Sequence, residues 1–123
     1  MAIPDFESIM LPLLKCVQDG KVWSMIDVEK FLISKLGLSK EDATQLKPSS
    51  SYETIFSNRT RWARFYMKKA GLLTDPKRGH TEITTKGIDV LQQNPSKIDN
   101  NFLKQFPSFV EFYGKKKEEE IQS

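Results

Sequence analysis

Residues 56–87 read FSNRTRWARFYMKKAGLLTDPKRGHTEITTKG. Within these 32 residues stand eight Lys/Arg (Arg59, Arg61, Arg64, Lys68, Lys69, Lys77, Arg78 and Lys86) and two acids, Asp75 and Glu82, a net charge of +6. The chain of 123 residues carries +3 in all, so the other 91 residues sum to −3. Positive charge gathered on one segment of an otherwise slightly acidic chain is the footprint of a polyanionic partner. The segment also has a shape. Phe56, Thr60, Ala63, Met67 and Ala70 share one side of a helix at 100° per residue, with Arg59 and Tyr66 flanking them. The opposite side carries Ser57, Arg61, Arg64, Phe65 and Lys68, with Asn58, Trp62 and Lys69 along its other edge. Gly71 stops the helix. Leu72-Leu73-Thr74 and Thr81-Glu82-Ile83-Thr84 then read as two short strands joined by the turn Asp75-Pro76-Lys77-Arg78-Gly79.

Working outward, the upstream chain supplies helices to support this unit. Phe6, Ile9, Met10, Leu13, Leu14 and Val17 recur at helical spacing after Asp5, a cap or first-turn acid. Pro12 within that run predicts a kink or a short entry turn. Val22-Trp23 reads as a short extended piece, and Ser24 caps a second helix with faces set by Ile26, Phe31, Leu32, Lys35 and Leu36. Ser39 caps a short polar helix ended by Pro48, and Ser49-Ser50-Ser51 is a loop. Downstream, Thr84 or Thr85 caps a helix carrying Ile88, Val90 and Leu91. Asp99 caps a last helix through Phe102, Phe106, Phe109 and Phe112, interrupted by Pro107. The expected layout is one domain over 1–113, then a charged tail or linker over 114–123 leading toward a catalytic domain that this chain lacks.

This order of elements predicts a mainly α fold with a small β-hairpin, a winged helix-turn-helix. An α-helix fits the major groove, about 12 Å wide, and the wing reaches a neighbouring phosphate strand. Arg61, Arg64 and Lys68, spaced i, i+3 and i+7, project toward one surface. Ser57 and Asn58 lie one turn before them, where hydroxyl and backbone N–H groups meet a phosphate. Lys77 and Arg78 sit at the wing tip. Phe65 suits either a base methyl or packing beside the second helix. Trp62 reads as core or half-buried. Arg59, nearer the core, predicts a structural ion pair with Glu53 or Asp27.

The segment NRTRWARFYMKKAGLL…PKRGHTEITTKG, together with AIPDFESIMLPLLK and NPSKIDNNFLKQFPSFVEF, resembles the N-terminal domain of Mrr-type restriction endonucleases. The likeness runs from about Ala2 to Phe112. It implies a winged-helix module that binds double-stranded DNA and precedes a PD-(D/E)xK nuclease acting on DNA with modified bases. Carried onto this chain, Arg61, Arg64, Lys68, Lys77, Arg78 and His80 become candidate DNA contacts beside Ser57, Asn58 and Phe65. His80 stands where that family usually has an apolar residue.

The same reading excludes several classes. The chain contains no Glu-x-Lys, so it assembles no Mg²⁺-dependent nuclease centre of its own. One histidine, His80, and one cysteine, Cys16, offer neither a metal set nor a nucleophile–base pair, and no cofactor motif is present. No catalytic residue is expected. No apolar run nears the roughly 20 residues of a membrane span, and the composition reads as a cytoplasmic protein. The expected partners are duplex DNA, with or without modified bases, and a C-terminal nuclease domain. The Phe-rich stretch is first a core element, with a homodimer contact or a docking face for a following domain as its other uses. A stand-alone winged-helix transcription regulator is the alternative function, and a protein-interaction module the third.

Overall fold

The computed structural model describes residues 3–122. Met1, Ala2 and Ser123, which the expected domain and tail limits include, lie outside the described residues. The elements follow the order α1 (Phe6–Cys16), β1 (Trp23–Ser24), α2 (Met25–Lys35), α3 (Lys40–Thr44), α4 (Ile55–Lys69), β2 (Leu73–Thr74), β3 (His80–Ile83), α5 (Thr85–Gln92), α6 (Asn100–Leu103) and α7 (Pro107–Gln122). This is a winged helix: α1, α2 and α4 form the helical body and the β2–β3 hairpin is the wing.

Local chemistry sets the boundaries. Asp5, Ser24, Ser39, Thr54, Thr84 and Asp99 each take extended backbone, and each side-chain oxygen accepts an N–H of the turn that follows. Gly71 (φ 85°) ends α4 in the left-handed region open to glycine. Pro12 lies inside α1 rather than heading it. The carbonyl it deprives of a partner is that of Ser8, which is exposed to water and so loses little. Pro107 begins α7, where a missing N–H costs nothing. Gln45 leaves the helix after α3 because Leu46 bridges to Thr54, which closes the Ser49–Ser51 loop just before α4.

The core is built from Ile9, Met10, Leu13, Leu14 and Val17 of α1, Val28 and Leu32 of α2, and Phe56, Ala63 and Met67 of α4, all buried. Met25 and Val28 carry the inner face of α2, whereas Ile26 and Phe31, expected to shape that helix, are exposed. Cys16 is buried in this core, and its thiol is pushed up to about 12 by burial and, secondarily, by the Asp19 charge. It is therefore a packing group rather than a nucleophile at neutral pH.

The expected two-stranded hairpin is a three-stranded antiparallel sheet in the order β1-β3-β2. Trp23 faces Thr81 and Ser24 faces His80, while Leu73 faces Ile83 and Thr74 faces Glu82. The Met25 N–H adds a bond to the Gly79 carbonyl at 2.8 Å. The extended residue that caps α2 thus also anchors the wing, and one stretch of backbone serves two elements. At the other end of the wing, the Thr84 hydroxyl donates to the Gly71 carbonyl at 2.6 Å and accepts from Gly87 N–H at 3.1 Å. Gly87 packs so tightly under β2 that a Cβ there would lie 2.4 Å from the Leu72 carbonyl oxygen.

α7 runs without a break through Gly114 to Gln122, so the expected charged tail is a helical extension. It lies along α4 through a chain of rings. Phe109 is fully buried, 5.9 Å from Tyr66 and stacked on Tyr113 at 5.5 Å. Phe112 meets Phe65 at 5.6 Å and Tyr66 at 5.5 Å, both edge-on. Such pairs contribute about 0.5–1.5 kcal/mol beyond the area they bury.

Candidate nucleic-acid interface

The outward side of α4 follows from its inward one. With Phe56, Thr60, Ala63 and Met67 committed to the core, a 3.6-residue period turns Asn58, Arg61 and Lys68 away from it, while Phe65 is half-buried against Phe112 of α7 rather than beside the second helix. Thr54 caps the helix by accepting from Ser57 N–H at 3.0 Å. The Ser57 hydroxyl in turn receives Arg61 Nε at 3.3 Å, one turn on. Arg61 also lies 3.7 Å from the Glu29 carboxylate of α2. That spacing is loose, and the Arg61 side chain is 46% exposed.

Arg64 and Lys68 are placed differently from Arg61. Arg64 Nη1 donates to both oxygens of Asp75 at 2.7 Å, and Lys68 Nζ donates to the same carboxylate at 2.8 Å. The Arg64 side chain is only 20% exposed. Asp75 opens the turn of the wing, so one carboxylate fastens the wing to α4 through two cations. Partial burial raises the Asp75 pKa, but hydrogen bonds from Arg64 and then Lys68 outweigh it and hold the carboxyl below its ordinary 3.8.

A carboxyl depressed in this way adds stability that is complete above its unfolded pKa and is lost as pH falls through the lower folded value. Asp75→Asn is accordingly expected to cost about 1–2 kcal/mol at neutral pH, the difference from wild type closing in acid as the pH falls below the ordinary 3.8 and through the lowered folded-state pKa. Urea denaturation at neutral and at acid pH checks it. A gap that stayed the same size in acid would rule out the charge as its source.

The wing tip is otherwise open. Lys77 and Arg78 are exposed, and among the described residues neither forms an ion pair. Gly79 (φ 76°) lets the chain turn there. His80 begins β3, half-buried opposite Ser24, with Nδ1 2.9 Å from the Arg78 carbonyl oxygen. That bond needs the proton on Nδ1 and fixes the ring beside the turn.

Three other cations of the segment are occupied. Arg59 Nη1 donates to the carbonyls of Ile3 and Pro4 at 3.0 and 3.2 Å. Its role is structural as expected, but its partners are backbone oxygens ahead of α1. Glu53, the expected partner, pairs with Lys47 at 3.2 Å instead. Lys69 Nζ lies over Phe65 and Phe112 at 5.2 and 5.5 Å, and Lys86 Nζ over Phe106 at 5.4 Å. Trp62, expected in the core or half-buried, is 44% exposed, because its position on the wheel falls beyond the stripe that α1 covers.

The structure thus brings Ser57, Asn58, Arg61 and Phe65 together on one helix face. It joins Arg64 and Lys68 to the base of the wing, and sets Lys77, Arg78 and His80 at and beside its tip. The sequence reading missed Asp75 and Glu29 as partners, since nothing local to either announces a bond to side chains seven or more residues away on α4. Among the described residues no three His, Cys, Asp or Glu side chains gather as a metal site, and no helix is long and apolar enough to cross a membrane.

The family model described as the Mrr N-terminal domain matches residues 6–93. These residues take in every element from α1 to α5, with α6 and α7 following the match. Over 96 residues the chain is 27% identical to the type IV methyl-directed restriction enzyme EcoKMrr of Escherichia coli (strain K12). That alignment covers 77% of this chain and 31% of the relative, so the chain spans less than a third of that protein's length. No solved structure matches. With the winged-helix body, the basic α4 and the wing all inside the matched residues, the chain belongs to the Mrr N-terminal domain family.

Proposed function

We propose that this chain is a double-stranded DNA-binding module that directs a nuclease to its target, and that its own residues bind without cleaving. The observation that carries the reading is the pair of open cations at the wing tip, Lys77 and Arg78, on a wing fastened through Asp75 to the basic helix α4. Arg61, Ser57 and Asn58 meet the duplex from α4, with Phe65 beside them. Arg64 and Lys68 hold the wing in place and add to the positive field. His80 shapes the turn next to Arg78. The relative's description as a methyl-directed restriction enzyme supports modified DNA as the target and a C-terminal nuclease domain as the partner.

With about five to seven phosphate contacts, the slope of log affinity against log salt is expected near −5 to −6. Lys77→Ala/Arg78→Ala should lower affinity roughly tenfold and flatten that slope by about 2. Fluorescence anisotropy on one duplex across a salt series checks both numbers. Unchanged affinity with an unchanged slope would remove the wing from the interface. A stand-alone regulator would instead bind one operator tightly as a dimer, which sedimentation of the complex distinguishes from weak, sequence-tolerant binding.

A further inference from the structure

The outer side of α4 carries a second feature, which shares Asn58, Arg61 and Phe65 with the proposed duplex surface. Asn58, Arg61, Trp62 and Phe65 line a cavity of about 200 Å³. Trp62 and Phe65 also line a neighbouring open depression of about 350 Å³, bordered by Phe112, Lys115, Lys116 and Glu119 of α7. The two share a floor and form one shallow groove between α4 and α7. Trp62 meets Phe65 at 5.8 Å and Tyr66 at 6.1 Å, with interplanar angles of 87° and 84°. Both contacts are edge-on, so among the described residues no ring lies parallel on the indole.

The charges decide what the groove accepts. Lys116 Nζ lies over the Trp62 ring at 5.0 Å and over Tyr66 at 4.8 Å, and Lys69 Nζ lies over Phe65. The positions where an aromatic site would take a cationic ligand are therefore held by the protein's own ammonium groups, and a second cation is repelled. Arg61 and Lys115 stand at the rim. Their carboxylate partners, Glu29 at 3.7 Å and Glu111 at 3.2 Å, hold them weakly, the second pair being 71% exposed on both sides. Glu119 is the one further acid of the lining. An aromatic floor with cations around it fits a flat ring that carries negative charge beside it.

We propose that the Trp62–Phe65 groove takes an unstacked nucleobase, with Arg61 and Lys115 receiving the adjoining phosphates and the Asn58 amide offering a donor and an acceptor to the base edge. The proposal rests on the DNA-binding reading above and adds a site for a base that has left the helix stack. The base stacks on Trp62 by displacing the Lys116 ammonium from that ring, and Trp62 takes no part in holding paired duplex.

The test uses a fluorescent paired duplex and the same duplex carrying one unpaired thymine. Wild type should bind the bulged duplex about tenfold more tightly, as expected when one base gains an aromatic platform. Trp62→Ala should abolish that preference while keeping paired-duplex affinity within about twofold, and Trp62→Phe should retain most of it. Circular dichroism confirms that both variants fold. Equal affinity of wild type for the two duplexes, or a preference that survives Trp62→Ala, overturns the site while leaving duplex binding intact. Binding to neither duplex overturns both readings together.

Discussion

Phe109→Ala is expected to lower the stability of the chain by about 3–4 kcal/mol, the usual cost of emptying a buried aromatic site. Phe109 has no exposed surface and packs between Tyr66 of α4 and Tyr113 of its own helix. Its removal opens a cavity at the centre of the ring cluster that joins α7 to α4. Phe112 and Lys116 lose their seat on α4 as a result, since the α4 end of that cluster is Phe65 and Tyr66. Urea denaturation gives the loss, and hydrogen exchange shows whether the α7 amides lose protection first. A change below about 1 kcal/mol would mean that α7 is not part of the cooperative unit.

The second large effect belongs to a residue with no side chain. Gly87→Ala should cost about 2–3 kcal/mol, in the range of overpacking. The new Cβ would lie 2.4 Å from the Leu72 carbonyl oxygen and 2.7 Å from Ile83 Cγ1. The carbonyl is fixed in place because it accepts the Thr84 N–H at 3.1 Å. Alanine favours a helix interior by about 0.5–1 kcal/mol over glycine, which offsets only part of the clash. Gly114→Ala in α7 is the control, for there an added Cβ meets nothing within 4 Å. Thermal denaturation should show Gly114→Ala level with wild type or above it, and Gly87→Ala well below. Equal midpoints for the two variants would mean that the packing of Gly87 against Leu72 and β3 is looser than the structure has it.

Which features could be foreseen depends on how far along the chain their causes lie. Ser24, Ser39, Thr84 and Asp99 announce their helices because a cap and its N–H are three residues apart. The stripe Phe56, Thr60, Ala63, Met67 is likewise local, and it gave α4 its orientation. The wing's strands were visible from composition. The third strand was half visible, for Val22-Trp23 reads as extended, but its pairing with β3 spans more than 50 residues and leaves no local mark. The candidate interface divides in the same way. The helical spacing of Arg61, Arg64 and Lys68 is a property of the sequence, whereas the capture of two of them by Asp75 belongs to the fold. Trp62 could be read only as core or half-buried, because a helical wheel says which residues lie off the apolar stripe but not how far a neighbouring helix extends to cover them.

The bond from Asp75 to Arg64 and Lys68 has a mechanical consequence. A helix and a wing joined by a flexible turn would adjust their separation to whatever duplex they met. Here the Met25–Gly79 bond ties the wing to the start of α2 and the Asp75 carboxylate ties it to α4, and both bonds restrict that freedom, as in a caliper with a preferred opening. In the proposed role, a duplex whose grooves differ from that opening must bend or twist to fit, and the elastic cost falls on the nucleic acid. The protein would then rank sequences by stiffness at base pairs that none of its side chains touch.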